Sequence, residues 1–170
     1  MNKKVKIVLD ADVIIHFAKG ELLSALPKFL PEYEFIVLDK VKEEVHKPML
    51  NQLQHQIDLL KNIREVTFGT NADEIKEYAA LTKRFGKGES ACMAYCHHNH
   101  DVVGSSNLRD ITDYCSQNGI VWLTTVDFLH YGIKNGVISK KDAEDFVKKV
   151  VQQGSKLPDV DFEKYICTKL

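Results

Sequence analysis

The residues best suited to chemistry in this chain are acids, hydroxyls and one amide that follow short apolar runs. Asp10 and Asp12 come after the run 5–9. Asp39 ends the run 35–38, with Glu43 and Glu44 a turn later, and Ser105, Ser106 and Asn107 follow the run at 102–104. Asp110 lies one helical turn beyond Asn107, and Glu89 follows Gly86-Lys87-Gly88 at the head of a stretch of small residues. In an open parallel sheet, ligands sit outside the carboxyl ends of the strands, so these groups are expected to share one edge. Clustered carboxylates raise one another's pKa unless a cation compensates them. Oxygen-rich sites suit Mg2+ or Mn2+, which keep several waters and bind phosphate oxygens, so the cluster points to phosphoryl chemistry. Two of the acids have a second reading. Asp10 also suits the N-cap of the helix after its strand. Glu89 also suits a complement to its helix dipole, a contribution of about 0.3–1 kcal/mol.

The elements that must position these residues are short and alternate. Strands are expected at 5–9, 35–38, 65–68, 101–104 and 120–123, each a run of apolar or β-branched residues. Between the first two, residues 13–26 are apolar at helical intervals, interrupted by Gly20 and ended by Pro27, which predicts two short helices. Asp39 is a candidate N-cap for a helix over 40–47 that Pro48 stops, and 50–60 continues helically. An amphipathic helix is predicted over 73–85, with Ile75, Tyr78, Ala79 and Leu81 as its apolar set. Residues 89–96 are nearly all small or apolar, which predicts a buried helix, and 108–116 forms another that Asn118-Gly119 closes. This order predicts an α/β fold: a three-layer α/β/α sandwich around a mostly parallel sheet of four or five strands. Residues 126–170 read as a helical C-terminal extension packed on the core formed by 1–125, with Ser139 to Asp142 as a capping box for a helix over 140–153.

Composition narrows the function. The 170 residues carry 23 Lys and Arg against 24 Asp and Glu, a formal net charge of -1, which excludes nucleic-acid binding driven by a strongly basic overall surface. It leaves room for a local basic groove, or for a nuclease that neutralises phosphate with metal. No stretch approaches the roughly 20 apolar residues of a membrane span. The first apolar run is too short for a signal peptide, and a cytoplasmic protein is expected. Cys92, Cys96, Cys115 and Cys167 form no CxxC pair and no zinc spacing, and Cys92 and Cys96 read as small core residues. His97, His98 and His100 end a helix, where the dipole favours them, on the side opposite the acids, and a structural or surface role is expected. Lys83, Arg84 and Lys87 beside the Glu89 motif suit either phosphate contact or a solvated helix end. The tail lysines 140, 141, 148 and 149 read as a solvent face.

Four of these motifs, in order, resemble those of the PIN-domain ribonucleases, the family of the VapC-like toxins. Val8-Leu-Asp10-Ala-Asp12-Val-Ile-Ile15 is similar to its opening strand, and Val41-Lys-Glu-Glu44-Val45 to its second motif, with Glu44 the better match to the acid. Gly86-Lys-Gly-Glu89 resembles its Gly-x-Gly-Glu helix start, the most specific piece, and Val102-Val-Gly-Ser-Ser-Asn107 its fourth motif. The resemblance covers residues 5–125. It implies an endonuclease of single-stranded RNA, possessing Mg2+ or Mn2+ and acting through metal-activated water, with RNA, an antitoxin protein and a second copy of the chain as partners. Carried over, Asp10, Glu44 and Glu89 would be catalytic metal ligands, Asp10 the central one. Asn107 would stand where the fourth acid is often Asp. Ser105 matches a supporting hydroxyl, Asp12 and Asp110 are supporting acids, and Arg84 and Lys87 would bind substrate. Asn107 departs from the pattern and favours one metal over two. Two rival readings follow: a PIN-like scaffold without catalysis, and a haloacid-dehalogenase-like phosphatase, which shares Asp10-x-Asp12. The latter resemblance expects a hydroxyl two residues after the second acid, where this chain has Ile14.

Overall fold

Lys6–Leu9 is four residues long and buried throughout, and it forms strand β1 at the centre of the sheet. The structure, a computed structural model, describes residues 3–170. After β1 come helix α1 (Ala11–Lys19), α2 (Leu26–Phe29) and strand β2 (Glu34–Leu38). Helices α3 (Asp39–Lys42) and α4 (Met49–His55) lead through a π-helical turn at Gln56–Leu60 to β3 (Arg64–Val66). The chain continues as α5 (Ala72–Leu81), α6 (Lys87–Asn99), β4 (Val102–Gly104), α7 (Leu108–Gln117) and β5 (Trp122–Leu123), then α8 (Thr125–Lys134) and α9 (Lys140–Gln152).

The five strands pair in the order β3-β2-β1-β4-β5, all parallel. Helices flank the sheet, and after Lys6 and Glu34 at their starts its inner strands are apolar, because parallel strands buried on both faces have no polar side to show. The fold is therefore α/β, with five parallel strands where four or five were expected. Register brings Ile7 beside Phe35 and Val102, so β1 and its neighbours end together. Beneath the opposite edge, Lys6 pairs with the buried Asp101 at 3.0 Å, and the Lys6 N–H donates to the same carboxylate. Among the described residues, no helix is long and apolar enough to cross a membrane.

Several boundaries differ from the sequence expectation, each for a local reason. Pro27 lies in the first turn of α2 rather than ending a helix, because proline lacks only an N–H that a helix start leaves free. Asp39 is the first residue of α3, not its cap. Its Oδ1 accepts the N–H of Lys40 and also that of Phe68, 29 residues away, which ties α3 to the end of β3. The α3 helix is four residues long, so Glu44 lies beyond it. Phe68 has left the strand and packs on Tyr78, ring centres 5.1 Å apart.

The face of α5 is also rotated from the one expected. Ile75 and Ala79 are exposed, whereas Glu74 is buried with Leu81, and Tyr78 lies partly covered between them. Positions 74, 78 and 81 form one helical stripe. The Glu74 carboxylate is accommodated because Asn99 on α6 donates to its Oε1 at 2.7 Å.

The four cysteines are buried and unpaired. The Ser139–Asp142 capping box at α9 is formed in both directions. From Gly154 the chain runs without a regular helix. Phe146 of α9 is 1% exposed and meets Phe17 of α1 with ring centres 4.9 Å apart. Gly20 makes this approach feasible, since a Cβ there would stand 2.1 Å from the Phe146 ring. The C-terminal helices thus share the main core. Phe146→Ala should cost about 3–5 kcal/mol of stability, read as a lower midpoint in urea unfolding of the whole chain. A second, independent unfolding step would contradict that shared core.

Candidate functional site

The carboxyl ends of β1 and β4 and the first turn of α6 meet at a cleft of about 380 Å3, lined by Asp10, Asp12, Glu44, Glu89, Asn107 and Asp110 beside Ala11, Ile15 and Gly86. Its lining has five carboxylates and, among the described residues, no lysine or arginine.

Each acid reaches the cleft by a different route. Asp10 follows β1, donates its N–H to Gly104 O at 2.8 Å and caps α1, its Oδ1 accepting the Ala11 N–H at 2.8 Å. Its capping and site readings therefore coincide in one residue. Ser105 Oγ donates to Asp10 Oδ2 at 3.3 Å. Asp12 accepts from the N–H of Val13 at 2.7 Å and of Ser106 at 2.8 Å, which joins α1 to the chain after β4. Glu44 Oε1 accepts the Gly88 N–H at 2.9 Å. A Cβ at Gly88 would lie 2.5 Å from Glu44 Oε2, so a larger residue there would displace the Glu44 carboxylate. Glu89, one residue on, is buried, and its Oε1 has no hydrogen-bond partner. Asn107 precedes α7 and donates from Nδ2 to Asp110 Oδ2 at 2.9 Å. Asp110, a supporting residue in the sequence reading, thus supplies a carboxylate beside the amide.

Burial is the main electrostatic fact of the cleft. It raises the Asp10 carboxyl well above the usual range, with the Asp12 charge adding to it and the Ala11 N–H opposing. Burial lifts Asp12 to about 6 against the opposing N–H donors of Ser106 and Val13. Glu89 rises to about 7, first through burial and then through the charges of Asp110 and Asp12. A buried carboxylate oxygen without a donor, beside other acids and no cation, is the arrangement that a divalent ion would complete. Asp10, Glu44 and Glu89 fit that role.

Other residues of the sequence reading lie elsewhere. Arg84 and Lys87 are exposed and outside the cleft lining, Arg84 resting on the Phe85 ring at 5.1 Å. His97 and His98 lie at the far end of α6, where both rings bond the single carboxylate of Glu77 at 2.6–3.1 Å. Among the described residues, only this trio brings three ligand atoms within 4.8 Å of one another, so the cleft acids stand wider apart. Wide spacing suits an ion that keeps its waters, and nitrogen donors suit a different metal class. His100 is exposed and ends α6 in a left-handed conformation.

One part of the site had no signal in the sequence. Ser106 Oγ donates to Thr125 Oγ1 at 2.8 Å and accepts the Thr125 N–H at 2.9 Å, and His16 Nδ1 lies 2.8 Å from the same Thr125 oxygen. Thr125 Oγ1 thus joins the Ser106 hydroxyl and the His16 ring in one hydrogen-bonded chain. Burial first, then the Lys19 charge, lowers the His16 pKa to about 4. This chain of three side chains anchors the loop whose N–H holds Asp12.

No protein-family model and no curated protein matches the chain.

The raised Glu89 pKa sets a stability dependence. A carboxyl whose folded pKa lies above its unfolded value stabilises the fold at low pH and loses that contribution as pH rises, here between about 4.5 and 7. In metal-free protein, Glu89→Gln should therefore be more stable than the parent chain at pH 8, by about 2–3 kcal/mol, and nearly equal to it at pH 4.5. Thermal melts in a chelator at the two pH values measure this, and a destabilised variant at pH 8 would overturn it.

Proposed function

We propose that this chain is a metal-dependent endoribonuclease of the PIN type, which cleaves single-stranded RNA by hydrolysis. The observation that carries the reading is the convergence of Asp10, Glu44, Glu89 and Asp110, distant in sequence, on one cation-free cleft where Glu89 Oε1 is buried without a donor. Asp10, Glu44 and Glu89 would hold Mg2+ or Mn2+. When bound, such an ion stabilises negative charge on a phosphodiester and makes water a stronger acid.

The chain's own groups have separable roles. Asp10 is the central ligand, oriented by Ala11 N–H and Ser105 Oγ. Glu44 is fixed by Gly88 N–H. Asp12 and Ser105 are positioning residues that hold the loop after β4 against α1. Asn107 shares its amide N–H with Asp110 and keeps its amide oxygen for a hydrated ion or substrate. Arg84 and Lys87, at the surface before Glu89, are placed to meet RNA phosphates outside the cleft. A toxin role, an antitoxin protein, a homodimer and a cytoplasmic location belong to the same proposal and rest on the motif resemblance.

The scaffold reading draws on Asn107, an amide at the position of the fourth acid. Asp110, bonded to that amide and lining the same cleft, restores a carboxylate there and favours the enzyme.

The test is incubation of the full chain with end-labelled single-stranded RNA and Mn2+, beside Asp10→Asn and Glu89→Gln. Cleavage by the parent chain is expected to stop in excess chelator, and each variant should lose about 100-fold or more in rate. Equal cleavage by all three would overturn the site. No cleavage of any single-stranded nucleic acid by the parent would favour the scaffold.

A further inference from the structure

A cavity of about 480 Å3 adjoins the acid cleft without being part of it. The two share one stretch of chain: Asn107 lines the cleft, and Ser106 and Leu108 on either side of it line the cavity. The cavity walls are otherwise built from the end of the sheet and from the irregular C-terminal segment. Trp122 comes from β5, Val160 and Tyr165 from the segment, and Lys156 and Lys169 bring two cations to walls that are mostly apolar.

Each of these features bears on what the cavity accepts. Leu108 is 49% exposed, a large apolar side chain left open beside a catalytic cleft. Trp122 and Tyr165 offer aromatic surface of the kind on which nucleobases stack. Lys169 is committed, pairing with Asp127 at 2.8 Å and lying over the Trp122 ring at 4.9 Å. Lys156 is exposed and makes no ion pair among the described residues. Acids that gather metal repel a phosphate chain unless cations stand close by, and the cleft lining has none. Of the cavity's two lysines, Lys156 is the one without an ion pair among the described residues, and the cavity meets the cleft through Ser106 and Leu108.

We propose that this cavity is a nucleobase subsite, which takes one unstacked base of a single-stranded RNA while Lys156 meets a flanking phosphate. The proposal rests on the ribonuclease reading of the adjoining cleft and names where its substrate is gripped. A base seated beside Leu108 fixes the register of the strand across Asn107, so the subsite selects the bond presented to the acids. An apolar wall with few polar groups favours stacking over base-edge readout, so affinity should vary modestly with base identity.

Trp122 is the only tryptophan in the chain and lines this cavity, so its fluorescence responds to what enters there. The experiment titrates the full chain, in chelator so that no cleavage occurs, with decamers of uridylate or adenylate and with an abasic decamer of the same charge. Both RNAs should quench Trp122 emission, and the abasic strand should not. Leu108→Ala and Lys156→Glu, both at exposed positions, should each weaken the RNA titration about 10-fold, while far-ultraviolet circular dichroism stays that of the parent. With Mn2+, both variants should raise KM more than they lower kcat. Equal quenching by the abasic strand would overturn the proposal, as would a response to a leucine-rich peptide with none to RNA. Base-dependent quenching without any cleavage would retain the subsite and remove the nuclease reading. Cleavage by the parent without quenching, and with unchanged KM in both variants, would do the reverse.

Discussion

Five carboxylates that face one cleft repel one another, and three of them are held there by backbone N–H groups. Asp10 and Asp12 accept from Ala11 and Val13 in the first turn of α1, and Glu44 accepts from Gly88 in the first turn of α6. A helix start is the one place where several N–H groups lack an internal partner. The site depends on both helices beginning where they do. A side chain at 88 would push the Glu44 carboxylate from its present place against that N–H. Glu89 receives no such support at Oε1, and burial with the charges of Asp110 and Asp12 raises its pKa to about 7.

The distribution of charge makes sense of a total near zero. A balance of 23 cations against 24 acids looks neutral, yet five of the acids gather in one cleft whose lining has no lysine or arginine among the described residues. Such a surface has weak long-range attraction for a polyanion, while the cleft itself is locally acidic.

The sheet and most acids of the cleft were legible because both follow from local sequence. A short apolar run followed by a polar residue marks a strand end, and parallel pairing gathers strand ends at one edge, as it does for Asp10 and Asn107. What was not legible depends on contacts between distant residues. His16 and Thr125 are separated by 109 positions, and neither carries a motif. The inward face of α5 was misread because Glu74 counts as polar until Asn99 is brought to it. Pro27 was ambiguous for a different reason: proline is compatible with the turn after one helix and with the first turn of the next, and only the residues that follow decide.

The C-terminal segment, which had no motif at all, is tied to this edge by a buried carboxylate, alongside the Leu170 N–H bond to Tyr131 Oη and the buried Phe162 and Cys167. Asp127 is 0% exposed and closes the capping box of α8 with Thr124. It also accepts from Tyr165 Oη and from Lys169 Nζ, both in the segment. Burial would raise its pKa, but Lys169, the Thr124 N–H and Tyr165 together outweigh burial and hold it below the usual value. A buried charge with so many donors cannot lose one of them cheaply, because the remainder would leave it uncompensated. The segment is thereby pinned beside Thr125, the residue that anchors Ser106. Cleft and cavity are consequently two sides of one corner that meet at residues 106–108, one built by strand ends and the other by the tail that Asp127 helps to secure.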